Sequence, residues 1–429
     1  FKQKTAYEIM PSLVGSEMCI RDSIVGKPEI ITGLDVGTTK VAAVVAEVDE
    51  GGSIKIIGIG TSPSEGLRKG MVANIEKTMG SIQRACGEAE MMSGIKIDRA
   101  YIGVAGEHIK SFNASGKIAL PRSGEISQRD VDRVLEQTKT FTLPPEDEVL
   151  HVIPKEYIID GHRGIKDPIG MTGMLLQAEV IIVTGAITAL ENLHRCVDRA
   201  KIRALGAVLQ PLASAYAVLD EEEKDLGAIL LDIGGGTTDI AVFTNGSLSY
   251  TGVLGLGGSN VTYDIAMGLG TPRARAEELK KQYGVALASM LENEDEEILV
   301  PGVGGRKERR ISRGTLARII EARLREIFEL AYKMVHRAGF SAEMAGGLVL
   351  TGGTANIPGI EELAEEVFKL PTRIGVPTGV TGLSDNVADP AYATVVGIIV
   401  YALRSPEVGR EEGNLLKDFI DRVKEWFGF

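Results

Sequence analysis

The feature that most constrains the fold of this chain is a pair of similar turns, one in each half. The turn DVGTT at residues 35–39 follows an apolar run at residues 30–34, and DIGGGTT at residues 232–238 ends an apolar run that begins at residue 227. β-Branched residues resume after both turns, at residues 41–48 and 240–243. A repeated strand–turn–strand unit predicts a duplicated α/β fold with two lobes and a cleft between them.

The residues of both turns suit the binding of phosphate. A carboxylate, Asp35 or Asp232, ends each apolar run, and glycines follow whose backbone N–H groups can approach an anion closely. Because Mg²⁺ keeps much of its water shell, we expect these two carboxylates to hold it through water. One glycine-rich turn would also fit a plain hairpin, but two matched copies and a third turn after residues 346–350 favour a phosphate site. The candidate phosphate-binding residues are Gly37, Thr38, Thr39, Lys40, Gly234, Gly235, Gly236, Thr237, Gly352 and Gly353.

Charge and composition exclude several classes of protein. The net charge of −12 argues against a nucleic-acid partner, which needs phosphate-neutralising Lys and Arg. Three widely spaced cysteines fit neither a disulfide framework nor a metal site and indicate a reducing compartment. No apolar run reaches the roughly 20 residues of a transmembrane helix. Residues 1–23 resemble translated sequencing-adapter read-through, and we expect them to be a non-native N-terminal segment.

Taken together, the three turns resemble those of actin, the heat-shock chaperone ATPases and sugar kinases. Residues 34–40 and 231–239 are similar to the two phosphate motifs, residues 350–359 to the adenosine motif, and residues 210–220 and 393–403 to the connecting helices. The resemblance implies ATP as the ligand, with Gln210 orienting the attacking water and Asp232 assisting catalysis. Gln210 is equally compatible with a polar helix start that has no catalytic duty. Glu277 and Lys280 would flank the adenine and ribose, although an ordinary surface ion pair has the same spacing.

Shorter motifs narrow the resemblance to the bacterial FtsA family of cell-division proteins. These motifs are YIGVAG at residues 101–106, VLHVIP at 149–154, IKDPIG at 165–170, VGGR at 303–306 and RIGVP at 373–377. The resemblance covers about residues 30–403. It implies an actin-like protein that polymerises, binds the C-terminal tail of the tubulin-like protein FtsZ and recruits other division proteins. Its expected location is the cytoplasmic face of the cell membrane at the division site, as a peripheral protein.

The resemblance also implies a division into subdomains. Proline-rich residues 111–176, with a helix candidate at 128–140, look like an insert in the first lobe. The expected subdomains are 1A at residues 24–110, 177–209 and 381–403, the insert 1C at 111–176, 2A at 210–257 and 313–380, and 2B, the FtsZ contact, at 258–312.

The last part of the chain has a different composition. Residues 404–413 are polar and contain Gly and Pro, which is typical of a flexible linker. Residues 414–429 are predicted to form an amphipathic helix that is too short and too charged to span a bilayer but suited to its interface. A helix docked on the protein's own core or in a partner's groove is the alternative. The apolar face comprises Leu415, Leu416, Phe419, Ile420, Val423, Trp426 and Phe427.

Two other functions are compatible with the same turns. One is a small-molecule kinase of the same fold, which would need a catalytic carboxylate in a substrate cleft that no sequence element identifies. The other is an actin-like scaffold ATPase of pilus or secretion machinery. Slow ATP hydrolysis is compatible with the division protein and with the scaffold, and the sequence leaves it open.

Overall fold

The structure is a computed structural model that describes residues 28–121, 124–139, 143–340 and 344–404. The first half begins with β1 Glu29–Val36, β2 Lys40–Val48, β3 Ile54–Pro63, β4 Leu67–Arg68, β5 Met71–Val72, α1 Ile75–Ser93 and β6 Arg99–Val104. An inserted unit follows, made of β7 Lys110–Ala119, α2 Gln128–Thr138, β8 Asp147–Ile159, β9 His162–Ile165 and β10 Leu175–Ala186. The half ends with α3 Ile187–Arg199, β11 Arg203–Leu209 and α4 Gln210–Val218.

The second half contains a similar series. Its first elements are α5 Glu221–Leu226, β12 Ala228–Ile233, β13 Thr238–Thr244, β14 Ser247–Leu254, α6 Gly258–Leu269, α7 Arg273–Tyr283, β15 Glu297–Val300, β16 Arg309–Ser312 and α8 Arg313–Arg337. The rest are β17 Leu348–Thr351, α9 Ile360–Phe368, β18 Thr372–Ile374, β19 Val380–Gly382, α10 Ser384–Val387 and α11 Ala393–Arg404.

Both lobes are built on the same order of strands. The first sheet runs β11-β6-β1-β2-β3-β19, and the second, read from its opposite edge, runs β18-β17-β12-β13-β14. The strands β11-β6-β1-β2-β3 therefore correspond in order to the five strands of the second sheet. In each sheet an antiparallel meander, β1–β3 or β12–β14, comes first in the chain, and the next strand, β6 or β17, joins the meander's first strand in parallel. The repeat seen in the two turns therefore extends through the sheets, and the predicted duplicated α/β fold is confirmed.

The insert has a sheet and a core of its own. Its strands lie in the order β7-β10-β8-β9, and α2 packs against them. The sequence predicts that the insert ends at residue 176 and that residues 177–209 return to subdomain 1A, but β10 runs antiparallel between β7 and β8 of the insert as far as Ala186. The physical reason is alternation along the strand, since Ala178, Val180 and Ile182 are buried in the same cluster as Val134 of α2.

Local signals set the ends of the first long helix, much as the sequence predicts for residues 74–92. The side chain of Asn74 accepts the N–H of Lys77 at 3.0 Å and so caps the start of α1. Gly94 ends the helix with a left-handed φ of 71°, which glycine adopts at little cost. Among the described residues, no helix is both long enough and apolar enough to cross a membrane.

Two buried helices join the lobes. Residues of α4 and α11 lie in a core cluster that also contains Ala42 of the first sheet and Leu230 of the second. The helices approach so closely that a Cβ on Gly397 would lie 1.9 Å from the carbonyl oxygen of Ala213. Both helices start where the sequence predicts the connecting helices, at Gln210 and Ala393.

Candidate functional site

A cavity of about 460 Å³ lies between the lobes, within the range typical of small-molecule sites. The two turns that border it are closed in the same way. The N–H of Gly37 donates to the carbonyl of Lys40 at 3.0 Å, and the N–H of Gly234 donates to the carbonyl of Thr237 at 2.9 Å. The cavity brings together the predicted residues Asp35, Gly37, Thr38, Thr39, Lys40, Gln210, Asp232, Gly234, Gly235, Gly236, Thr237, Glu277, Lys280, Gly352 and Gly353.

The two turns face each other closely across the cavity. A Cβ on Gly235 would lie 2.2 Å from Cγ2 of Thr39, and one on Gly236 would lie 2.7 Å from Oγ1 of Thr38. The Thr38 hydroxyl also accepts the N–H of Gly70, in the turn between β4 and β5, at 3.2 Å. Any side chain larger than hydrogen at Gly235 or Gly236 would therefore force the turns apart.

Asp35 is held by the side-chain amide of Gln210. Nε2 of Gln210 donates to Oδ1 of Asp35 at 2.8 Å. Burial raises the pKa of the Asp35 carboxyl to about 7, the charge of Lys40 opposes this shift, and the charge of Asp232 adds to it. Gln210 is the first residue of α4, so this hydrogen bond connects the start of that helix to a carboxylate that lines the cavity.

Asp232 is buried and has two hydroxyl partners. Its Oδ2 accepts hydrogen bonds from Oγ of Ser214 at 2.6 Å and from Oγ1 of Thr394 at 3.0 Å. Burial raises the pKa of Asp232, while these two hydrogen bonds lower it. Gly352, with φ of 85°, lies against the same carboxylate, since a Cβ there would be 2.4 Å from Oδ1.

The amine of Lys40 is directed toward the segment before α11. Its Nζ donates to the carbonyl of Ala391 at 2.8 Å and lies 3.9 Å from the ring centre of Tyr392. Burial lowers the pKa of Lys40, and the negative charge of Asp35 partly offsets that effect. A bound anion would favour the charged amine for the same electrostatic reason.

Asp239, which the sequence analysis did not select, also lines the cavity. It is only 3% exposed, and burial raises the pKa of its carboxyl well above the usual range. Oδ2 accepts from the Thr237 hydroxyl at 3.3 Å, whereas Oδ1 is a buried oxygen that has no hydrogen-bond partner among the described residues. Its position two residues after the threonine that closes the second turn was a usable signal. Ser214 and Thr394 gave no comparable signal, because each is a small hydroxyl residue on an apolar helix.

Glu277 and Lys280 form an ion pair of 2.7 Å at another part of the cavity wall. The Lys280 amine also donates to Oγ1 of Thr262 at 2.9 Å and to the carbonyl of Gly258 at 3.2 Å. The Lys280 side chain is only 10% exposed. The pair is therefore built into the junction of α6 and α7, which an ordinary surface ion pair would not be.

The residues that surround the cavity fit a polyphosphate with a bound Mg²⁺. Carboxylate oxygens are the ligands that Mg²⁺ takes, directly or through water, and three aspartates, Asp35, Asp232 and Asp239, lie at the cavity. The unpartnered Oδ1 of Asp239 is an acceptor in need of a donor, such as a water of the Mg²⁺ shell. The glycine backbones and threonine hydroxyls supply the donors that phosphate oxygens need. The apolar face predicted at residues 415–427 lies outside the described residues.

Comparison with known proteins agrees with this architecture. A family model described as "Cell division protein FtsA" matches residues 229–397, and one described as "SHS2 domain inserted in FTSA" matches residues 106–184. The solved "PilM-PilN type IV pilus biogenesis complex" is similar with a TM-score of 0.63 at 16% identity, over 88% of this chain and 99% of that one. MreB5 of Spiroplasma citri bound to ADP is similar with a TM-score of 0.54 at 16% identity, over 92% of this chain and 98% of that one. These structures show an actin-like fold.

Relatives found by sequence share a much higher identity with this chain than these solved structures do. The protein named "Cell division protein FtsA" from Pseudomonas aeruginosa is 46% identical over 381 residues, which are 89% of this chain and 91% of the relative. The protein of the same name from Escherichia coli is 39% identical over 410 residues, 93% of this chain and 97% of the relative. The chain therefore belongs to the FtsA family of actin-like cell-division proteins.

Proposed function

We propose that the chain binds ATP with Mg²⁺ in the cavity between its lobes. The observation that carries this proposal is the meeting of two phosphate-type turns with three aspartates at one cavity, the buried Asp232 and Asp239 and the half-buried Asp35. MreB5 of Spiroplasma citri, solved with bound ADP and with bound AMPPNP, shares the fold. Both lobes would contact the ligand, so its binding would favour the relative orientation of the lobes in which both turns reach the phosphates.

The side chains divide into groups with different tasks in this proposal. The glycines and threonines of both turns bind phosphate oxygens, while Glu277 and Lys280 flank the base and sugar. Bound Mg²⁺ supplies neutralisation of phosphate charge. Gln210 donates its amide N–H to Asp35, which leaves its side-chain carbonyl free to orient a water, the positioning role that phosphoryl transfer requires. Slow ATP hydrolysis would follow from this arrangement.

Calorimetry with Asp232→Ala tests the nucleotide site. We expect wild type to bind Mg·ATP and the variant to bind it at least tenfold more weakly, because a carboxylate that supports Mg²⁺ is lost. Asp198→Ala, which removes an exposed carboxylate on α3, is the matched control and should bind like wild type. Equal affinity of wild type and Asp232→Ala would remove Asp232 from the site.

We further propose that the protein polymerises and connects the FtsZ tail to the cytoplasmic membrane at the division site, where it recruits other division proteins. Family membership supports this role. The proposed FtsZ contact lies in residues 258–312, subdomain 2B. That segment has exposed apolar side chains, with Tyr263 54%, Met267 67% and Leu299 53% exposed. Membrane contact is assigned to the apolar face of residues 414–429.

Vesicle sedimentation with a fluorescent FtsZ tail peptide tests this tether. With ATP and vesicles of phosphatidylethanolamine and phosphatidylglycerol, we expect the peptide to pellet only when the full chain is present. The double substitution Leu416→Asp and Phe419→Asp should abolish pelleting, because interface binding depends on buried apolar area. The control, Asp418→Asn with Asp421→Asn, changes only the polar face and should still pellet. Pelleting by the apolar-face variant would contradict the proposed anchor.

A further inference from the structure

The carboxylate of Asp232 is held by residues that do not belong to its own sheet. Asp232 ends β12 in the second lobe, whereas Ser214 lies on α4 and Thr394 on α11, the two helices that join the lobes. Both hydroxyls donate to the same oxygen, Oδ2, and their oxygens lie 3.0 Å apart. All three side chains are at most 9% exposed.

Ser214 and Thr394 are buried hydroxyl residues on helices whose other buried residues are mostly apolar. The neighbours of Ser214 on α4 are Ala213 and Ala215, and those of Thr394 on α11 are Ala393 and Val395, all of them buried. A buried hydroxyl without a partner is costly, so apolar residues would serve packing alone better. Both hydroxyls instead direct their hydrogen bonds to one carboxylate, which indicates a role at the cavity.

We propose that Ser214 and Thr394 are positioning residues for Asp232. They bind one carboxylate oxygen to the connecting helices and fix the orientation in which the other, Oδ1, is presented beside Gly352. A change in the crossing of α4 and α11 would alter both hydrogen bonds together. Affinity for the metal–nucleotide complex is thereby coupled to the relative orientation of the lobes. The inference rests on the proposed binding of Mg·ATP.

A hydroxyl that only stabilised the packing of the connecting helices would change the affinity for ATP equally with and without Mg²⁺. The test therefore compares ATP in the presence and absence of the metal. Calorimetry is performed with ATP and Mg²⁺ and with ATP in EDTA. For Thr394→Val and for Ser214→Ala we expect about tenfold weaker binding of Mg·ATP, the loss expected for one hydrogen bond to a charged group. Binding of metal-free ATP should change by less than about twofold. Thr394→Ser retains the hydroxyl and should restore wild-type affinity to within about twofold.

A double-mutant cycle makes the same test through Asp232. In an Asp232→Asn background, Thr394→Val should weaken binding no further, because the residue that it positions is already altered. Equal weakening of metal-bound and metal-free ATP, or a full additional loss in that background, would overturn the inference. If Thr394→Val does not fold, Ser214→Ala provides the same comparison. Absence of Mg²⁺-dependent ATP binding in wild type would instead refute the proposed function, and the inference would fall with it.

Discussion

At the scale of single residues, His151 connects the insert to the start of a connecting helix. Its Nε2 accepts the N–H of Leu209, the residue before α4, at 3.1 Å. Its ring meets that of Tyr401 edge-on, with centres 5.7 Å apart. Burial lowers the pKa of His151 to about 4. Nε2 can accept this hydrogen bond only in the neutral ring, so protonation of His151 would set two N–H groups against each other.

The lowered pKa of His151 predicts a dependence of stability on pH. The unfolded chain takes up the proton near pH 6.5 and the folded chain only near pH 4, so stability falls as the pH drops through this window. Between pH 7 and pH 5 we expect His151 to account for about 2 kcal/mol of lost unfolding free energy. Urea unfolding of His151→Gln should lack this part of the loss. His162→Gln, at an exposed histidine of the same insert, should retain it, and equal losses in wild type and His151→Gln would refute the assignment.

At the scale of elements, features encoded by neighbouring residues were predictable from the sequence. The turns after β1 and β12 were predictable because their glycines and threonines lie next to a carboxylate in the chain. The helix after Asn74 was predictable because its cap and its stop at Gly94 are local. Where such local signals mark the end of a strand or helix, the predicted first and last residues agree with the structure to within about two residues.

Features that depend on distant partners were not predictable. The apolar residues of β10 suit either lobe or insert, and only its pairing with both β7 and β8 decides between them. The role of Thr394 depends on Asp232, which is distant in the chain and reaches it only once the helices cross. Asp239 is an intermediate case. Its position next to the second turn can be read from the sequence, but the fact that its Oδ1 is buried without a hydrogen-bond partner among the described residues depends on the tertiary structure.

At the scale of the whole molecule, the insert belongs to the first half of the chain but packs against the second lobe. β14 is the edge strand of the second sheet and contacts β7, β8 and β10 of the insert. Oγ of Ser111 donates to the carbonyl of Thr251 at 2.8 Å, and Oγ of Ser247 donates to that of Lys155 at 3.1 Å. The insert thus covers an edge that would otherwise be open to pairing, and it bridges both lobes away from the cavity.

This bridge predicts where hydrogen exchange will change when it is weakened. Substituting Ser111→Ala together with Ser247→Ala removes two hydrogen bonds of about 1 kcal/mol each, which corresponds to roughly 30-fold faster exchange through local opening of the interface. We expect that acceleration in residues 147–165 and 247–254, with protection of α8 unchanged. Lys166→Ala is the matched control, because its 2.6 Å ion pair with Asp225 crosses the same interface but is more than half exposed and contributes little. Unchanged exchange in the double variant would mean that these two hydrogen bonds do not hold the insert against the second lobe, and that the packing of β14 on β7, β8 and β10 is sufficient.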